Sequence, residues 1–155
     1  MPDLTQAIHD NDHQRGKPDA SEKIVIYADF TQPDLIQIEN TLKNYRDSLV
    51  VYRHFPQTIK HPLAYATSQA LESAGKQGKF WEMLAQVLDN QAELSDGKLR
   101  QLARDIGLDV AQFEDDMASV AIMKRIDANI QTAKASQVAD TPAIFRDGMY
   151  MKRCM

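Results

Sequence analysis

The chain opens without a sustained period. Residues 1–22 mix Asp, Gln and His, and the stretch Gly16-Lys17-Pro18-Asp19-Ala20 is turn chemistry, so an arm without regular structure is expected there. Ile24-Val25-Ile26-Tyr27 then forms a continuous β-branched and aromatic run, the pattern of a central strand covered on both faces. After Pro33, which suits the first helical position, Leu35, Ile38, Leu42 and Tyr45 recur at helical spacing and predict a helix lying on the sheet. Leu49-Val50-Val51-Tyr52 is a second strand. Strand, helix and strand in that order imply a right-handed βαβ unit with parallel strands.

From His61 to about residue 120 the pattern is helical. It runs from Leu63 to Ala74, then through Phe80, Met83, Leu84, Val87 and Leu88, and resumes at Leu99, Leu102, Ala103 and Ile106 after a cap at Ser95 or Asp96. Gly75, Gly78 and Gly107 divide it. A last helix carries Ile122, Ile126, Ile130 and Ala133 on one face and ends near Ser136. Ala143-Ile144-Phe145, a turn at Asp147-Gly148 and Met149-Tyr150-Met151 then predict a β-hairpin. The expected fold is α/β: β-α-β, a helical insertion over about 61–120, then a hairpin on the same sheet. The domain is expected over residues 23–155, with 1–22 as a flexible arm.

Length and charge narrow the function. With 155 residues, 43% hydrophobic and 26% charged, the chain suits one globular domain rather than a disordered or repetitive one. A net charge of −4 with scattered Lys and Arg argues against a nucleic-acid partner. No apolar run approaches the roughly 20 residues that cross a bilayer, and the first 22 residues lack the apolar core of a secretory signal. No membrane insertion and a cytoplasmic location are expected, unless a signal has been trimmed away. The one cysteine, Cys154, reads as an exposed, inert thiol.

Several segments together carry a resemblance. They are Tyr27-Ala28-Asp29-Phe30-Thr31-Gln32-Pro33, Arg53-His54-Phe55-Pro56, His61-Pro62, Gln77-Gly78-Lys79-Phe80-Trp81-Glu82-Met83, Gly107-Leu108-Asp109 and Val138-Ala139-Asp140-Thr141-Pro142. Over residues 23 to about 150 the chain resembles the DsbA-like thioredoxin family of protein disulfide oxidoreductases, and also the DsbA-like domains fused to some bacterial sodium/proton antiporters. The resemblance implies a thioredoxin fold and a bacterial source. In that family the first strand leads into Asp-Phe-x-Cys-Pro-x-Cys. Matching residue by residue puts Gln32, Pro33, Asp34 and Leu35 on the Cys-x-x-Cys positions, with Gln32 for the attacking cysteine and Leu35 for the resolving one. Thiol exchange needs a thiolate at the helix start and a second thiol to release the mixed disulfide, which an amide and an alkyl chain do not supply. The expectation is a member without catalytic residues, cofactor or disulfide oxidoreductase activity. Its residues Thr31, Gln32, Thr141 and Pro142, with a family cis-proline at Pro142, would bind a peptide or protein through backbone groups.

The alternative is a glutathione-dependent transferase or isomerase of the kappa-like branch of the fold. There a serine hydroxyl holds the cofactor thiol, while here the position is Gln32 and only Thr31 beside it has a hydroxyl. Among other candidates, His9 and His13 could hold a metal if their segment were helical, though a polar arm makes that a poor bet. His54 and His61 read as packing or exposed residues, Asp29 and Asp34 as ionised carboxylates near a helix start. Glu114-Asp115-Asp116 and Lys124-Arg125 read as solvated helix faces, and Phe80 and Trp81 as core. Family members follow the hairpin with a further helix that is short or missing here. An open sheet face, covered by a homodimer or by a partner protein, is therefore expected.

Overall fold

The computed structural model describes residues 3–45 and 47–151. The chain forms two compact units. One, the sheet unit, comprises residues up to Ala28, 34–55 and 128 onwards; the other, the helical unit, comprises 29–33 and 56–127. Cys154 lies outside the described residues.

The sheet unit holds β1 His13–Gly16, β2 Glu22–Ala28, α1 Leu35–Leu42, β3 Ser48–His54, β4 Ala143–Arg146 and β5 Met149–Met151. The five strands run in the order β1-β3-β2-β4-β5. β2 and β3 are parallel, with Val25 opposite Val51, as a βαβ unit requires. β4 pairs antiparallel with β2 and with β5, which is the expected hairpin. Ile24 to Ala28 and the whole of β3 are buried, so the central strands are covered on both faces.

Residues 3–22 depart from the expectation of an arm without structure. His13–Gly16 pairs antiparallel with β3, Gln14 opposite Val51, and forms an edge strand. Leu4 and Ile8 pack on the cluster of Val25, Tyr27, Val51, Ala133, Val138 and Phe145. This segment and the end of α6 therefore cover the sheet face that was expected to lie open. Polar side chains hid the strand, because an edge strand is specified by backbone pairing to its neighbour. Gly16 shows how closely the chains meet: at φ +112, a Cβ there would collide with the Ser48 carbonyl oxygen.

α1 turns Leu35, Glu39 and Leu42 inward. Pro33 does not open the helix, since Asp34 is the N-cap and Leu35 the first helical residue. Glu39 is the unexpected member of the buried stripe. Its carboxylate accepts both Arg15 guanidinium nitrogens, at 2.7 and 2.8 Å, and the Tyr52 hydroxyl at 3.0 Å, so that α1 is tied to β1 and β3. Burial, reinforced by the nearby Glu39 charge, pushes the Tyr52 hydroxyl well above the ordinary phenol range.

The helical unit contains α2 Ala64–Lys76, α3 Phe80–Asp89, a 3-10 turn at Gln91–Glu93, α4 Asp96–Asp105 and α5 Val110–Met117. α6, Val120–Ala135, starts in this unit and ends in the other. Ser95 caps α4 through Lys98 N at 3.0 Å, and Asp109 caps α5 through Gln112 N at 3.0 Å. The Gln77-Gly78-Lys79 segment staples two turns together. The Gln77 amide exchanges hydrogen bonds with the Asp109 backbone, while Lys79 Nζ donates to the Ile106 carbonyl at 2.7 Å, at the end of α4. Gly78 between them has φ +78, a conformation that favours glycine after a helix. Of the residues expected on solvated faces, Asp116 is buried and accepts from Gln112, and Arg125 pairs with buried Glu72 at 2.5 Å. Phe80 is core, whereas Trp81 is half-buried with its ring edge-on to Phe80. No helix among the described residues is long and apolar enough to cross a membrane.

Candidate functional site

In the helical unit the segment Asp29-Phe30-Thr31-Gln32-Pro33 folds around one buried carboxylate. Asp29 is 1% exposed, and burying an ionised carboxylate is costly unless every oxygen is satisfied. Here each oxygen takes two donors. Oδ1 accepts from the Thr31 amide at 2.9 Å and the Thr31 hydroxyl at 2.6 Å. Oδ2 accepts from the Gln57 amide at 3.2 Å and lies 2.7 Å from His61 Nδ1. The pattern Asp-x-Thr closes the local turn, and the Asp29 carbonyl accepts from the Gln32 amide at 3.1 Å. From the other side Gln91 Nε2 donates to the carbonyls of Phe30, at 2.9 Å, and Gln32, at 2.8 Å.

This arrangement changes the reading of three residues. Asp29 is not merely a carboxylate near a helix start but the organising acceptor of the loop. His61 is neither core nor unattached: its Nδ1 lies against the Asp29 carboxylate, and the side chain is about a third exposed. The Thr31 hydroxyl gives its one proton to Asp29, so it has none left to donate to a bound thiol. No sequence rule would have found the Asp29–His61 pair, because its members stand 32 positions apart.

The other expected residues lie in the sheet unit. The Thr141–Pro142 peptide bond is cis, as the family resemblance implies. Thr141 and Pro142 are buried, and the Thr141 amide donates to Asp140 Oδ1 at 2.9 Å. Asp34 stands at the N-cap of α1 in this unit. His54, at the end of β3, is buried, and its amide donates to Asn129 Oδ1 at 2.9 Å.

The His9/His13 metal reading fails on geometry. The segment is a turn leading into β1, not a helix. His9 Nδ1 accepts from the Asn11 amide, and Asp12 between the histidines is committed elsewhere. Its carboxylate receives Arg53 Nε at 2.9 Å and the other guanidinium end at 2.8 Å. Arg53, 1% exposed, spends its remaining donors on the Gln6 and Ala7 carbonyls and the Tyr27 hydroxyl, so all five are used. Burial acts to raise the Asp12 pKa. The Arg53 and His9-amide hydrogen bonds and the Arg53 charge outweigh it and hold the carboxyl below its ordinary value. This clamp fastens the N-terminal segment.

A family model described as the DSBA-like thioredoxin domain matches residues 15–153, so the match starts within β1, before the expected boundary at residue 23. Two curated relatives are sodium/proton antiporters. NhaA 1 of Mycolicibacterium vanbaalenii is 34% identical over 150 residues, covering 92% of this chain and 24% of that protein. NhaA 3 of Salinispora tropica is 36% identical over 143 residues, covering 90% and 22%. The chain thus spans about a quarter of the length of these relatives. Among solved structures, a thioredoxin-like oxidoreductase from Silicibacter pomeroyi superposes with a TM-score of 0.76 at 18% identity, covering 92% of this chain and 84% of that one. BdbD from Bacillus subtilis gives 0.78 at 15%, covering 90% and 83%. These structural likenesses bear on the fold, which is the thioredoxin fold.

Proposed function

The chain belongs to the DSBA-like thioredoxin domain family, and from that premise we propose that it is a member without thiol–disulfide chemistry that acts by binding a peptide or protein segment. The observation that carries the reading is the sequence at the family's cysteine positions, Gln32 and Leu35, in 155 residues whose one cysteine is Cys154. Exchange requires a thiolate to attack and a second thiol to resolve. A scaffold kept without its sulfurs retains what the scaffold does for recognition, namely present fixed polar groups to an extended segment.

The loop's geometry refines which groups are available. The Thr31 and Gln32 amides are held by Asp29, so what supports recognition at this loop is its carbonyls and the exposed edge of His61. These favour a partner offering N–H donors. Because the Thr31 hydroxyl proton is engaged, the glutathione-dependent reading has less support.

Titrating isotope-labelled protein with a panel of unstructured, cysteine-free peptides tests the proposal, with the amide signals of Gln32, His61 and Thr141 as reporters. Saturable shifts at Gln32 and His61 are the expected result. No shift at any of the three up to millimolar peptide contradicts it, and saturable glutathione binding by calorimetry transfers support to the transferase or isomerase reading.

A further inference from the structure

The N-terminal segment does more than cover the sheet. Leu4 N donates to the Gly148 carbonyl at 2.9 Å, Thr5 N to Ser136 Oγ at 3.0 Å, and the Gln6 and Ala7 carbonyls accept from Arg53. Held at these three places, the segment arches over the start of β2 and the β4–β5 turn. It borders an open cleft of about 660 Å³ within the sheet unit. That is the volume of a small-molecule site. Leu4, Ala7, Ile8, Ala20 and Val25 give it apolar lining, while Thr5, Ser21, Lys23 and Asp147 are its polar members.

Charge selects the ligand class. Lys23 and Val25 stand two apart on β2 and so share a face, which sets the ammonium stem beside the apolar floor. The Lys23 backbone is fixed on both sides, its amide donating to Asp147 Oδ1 at 2.9 Å and its carbonyl accepting from the Asp147 amide at 2.8 Å. Asp147 keeps its charge, with Oδ1 held to the Lys23 amide, and the Ser21 hydroxyl donates to Asp47 Oδ2 at 2.7 Å, which leaves Lys23 as the cation among the lining residues. The Lys23 ammonium has no carboxylate partner among the described residues. We propose that this cleft binds an amphiphile with an apolar body and one carboxylate, such as a medium-chain fatty acid, with Lys23 receiving the carboxylate. The inference is independent of the function proposed above, since it uses neither the Asp29–Pro33 loop nor Thr141.

The probes are sodium octanoate, 1-octanol and octylamine, followed through the amide signals of Val25 and Gly148 and by calorimetry on the full chain. Octanoate is expected to bind most tightly of the three. Lys23→Met is expected to weaken it about tenfold, the worth of one charge-assisted hydrogen bond, while leaving octanol unchanged, and Lys23→Arg to retain most of the affinity. Lys23 is exposed and its side chain makes no described bond, so both variants are expected to keep the wild-type circular dichroism spectrum. Tightest binding of octylamine, octanoate affinity indifferent to Lys23→Met, or no shift at Val25 and Gly148 up to millimolar octanoate each overturns the proposal.

Discussion

Arg53→Met is expected to cost about 3–5 kcal/mol of folding free energy, the range for removing one partner of a buried ion pair. The side chain keeps its apolar stem, so the loss reports the guanidinium. Without it the Asp12 carboxylate stays buried and unpaired, and the carbonyls of Gln6 and Ala7 lose their donors. Chemical denaturation measures the loss directly, and at a few degrees per kcal/mol for a domain of this size it corresponds to roughly 10 °C of Tm. Asp12→Asn added to Arg53→Met is expected to recover part of it, because the orphaned charge is then gone. The pair also sets a pH dependence. The Asp12 carboxyl is held below its ordinary value of 3.8 in the folded chain, so its contribution is present above that value and is lost as the pH falls through the lower, folded one. A cost below about 1 kcal/mol for Arg53→Met contradicts the clamp.

The second large effect is expected at Asp29. Asp29→Ala removes the acceptor of two amides and a hydroxyl and the partner of His61 Nδ1, in a pocket where water replaces it poorly. A loss of about 3 kcal/mol follows from orphaning buried donors. The loss has a local signature: the Thr31 and Gln57 amides exchange hydrogen faster than those of α3 and α4 when exchange is compared with wild type. Peptide shifts at Gln32 and His61 are expected to weaken in this variant while the Thr141 signal stays in place. Unchanged protection at Thr31 and Gln57 contradicts the assignment of Asp29 as the acceptor that orders this loop.

How much of this was legible in the sequence follows the range of the interactions involved. β2, α1, β3, the helical stretch, the last helix and the hairpin announce themselves through apolar periodicity, which is local, and Ser95 announces its cap in the same way. β1 does not, since His13, Gln14 and Arg15 carry no alternating apolar pattern and become a strand only through the edge of β3. Glu39 looks like a polar interruption of an apolar stripe, and its partner Arg15 lies 24 positions earlier. The clamp and the Asp29–His61 pair are contacts across 41 and 32 positions, beyond any local rule. The resemblance filled part of this gap. It supplied the thioredoxin fold and the cis bond before Pro142, neither of which periodicity contains, and it marked Gln32 and Leu35 as the positions where sulfur would stand.

Insulin reduction together with oxidation of a dithiol peptide by the purified Cys154→Ser chain tests most directly whether this fold works without sulfur. The predicted result is turnover indistinguishable from buffer in both assays, at protein concentrations where a catalytic disulfide oxidoreductase completes the reaction. Turnover that scales with the concentration of this cysteine-free chain contradicts the account.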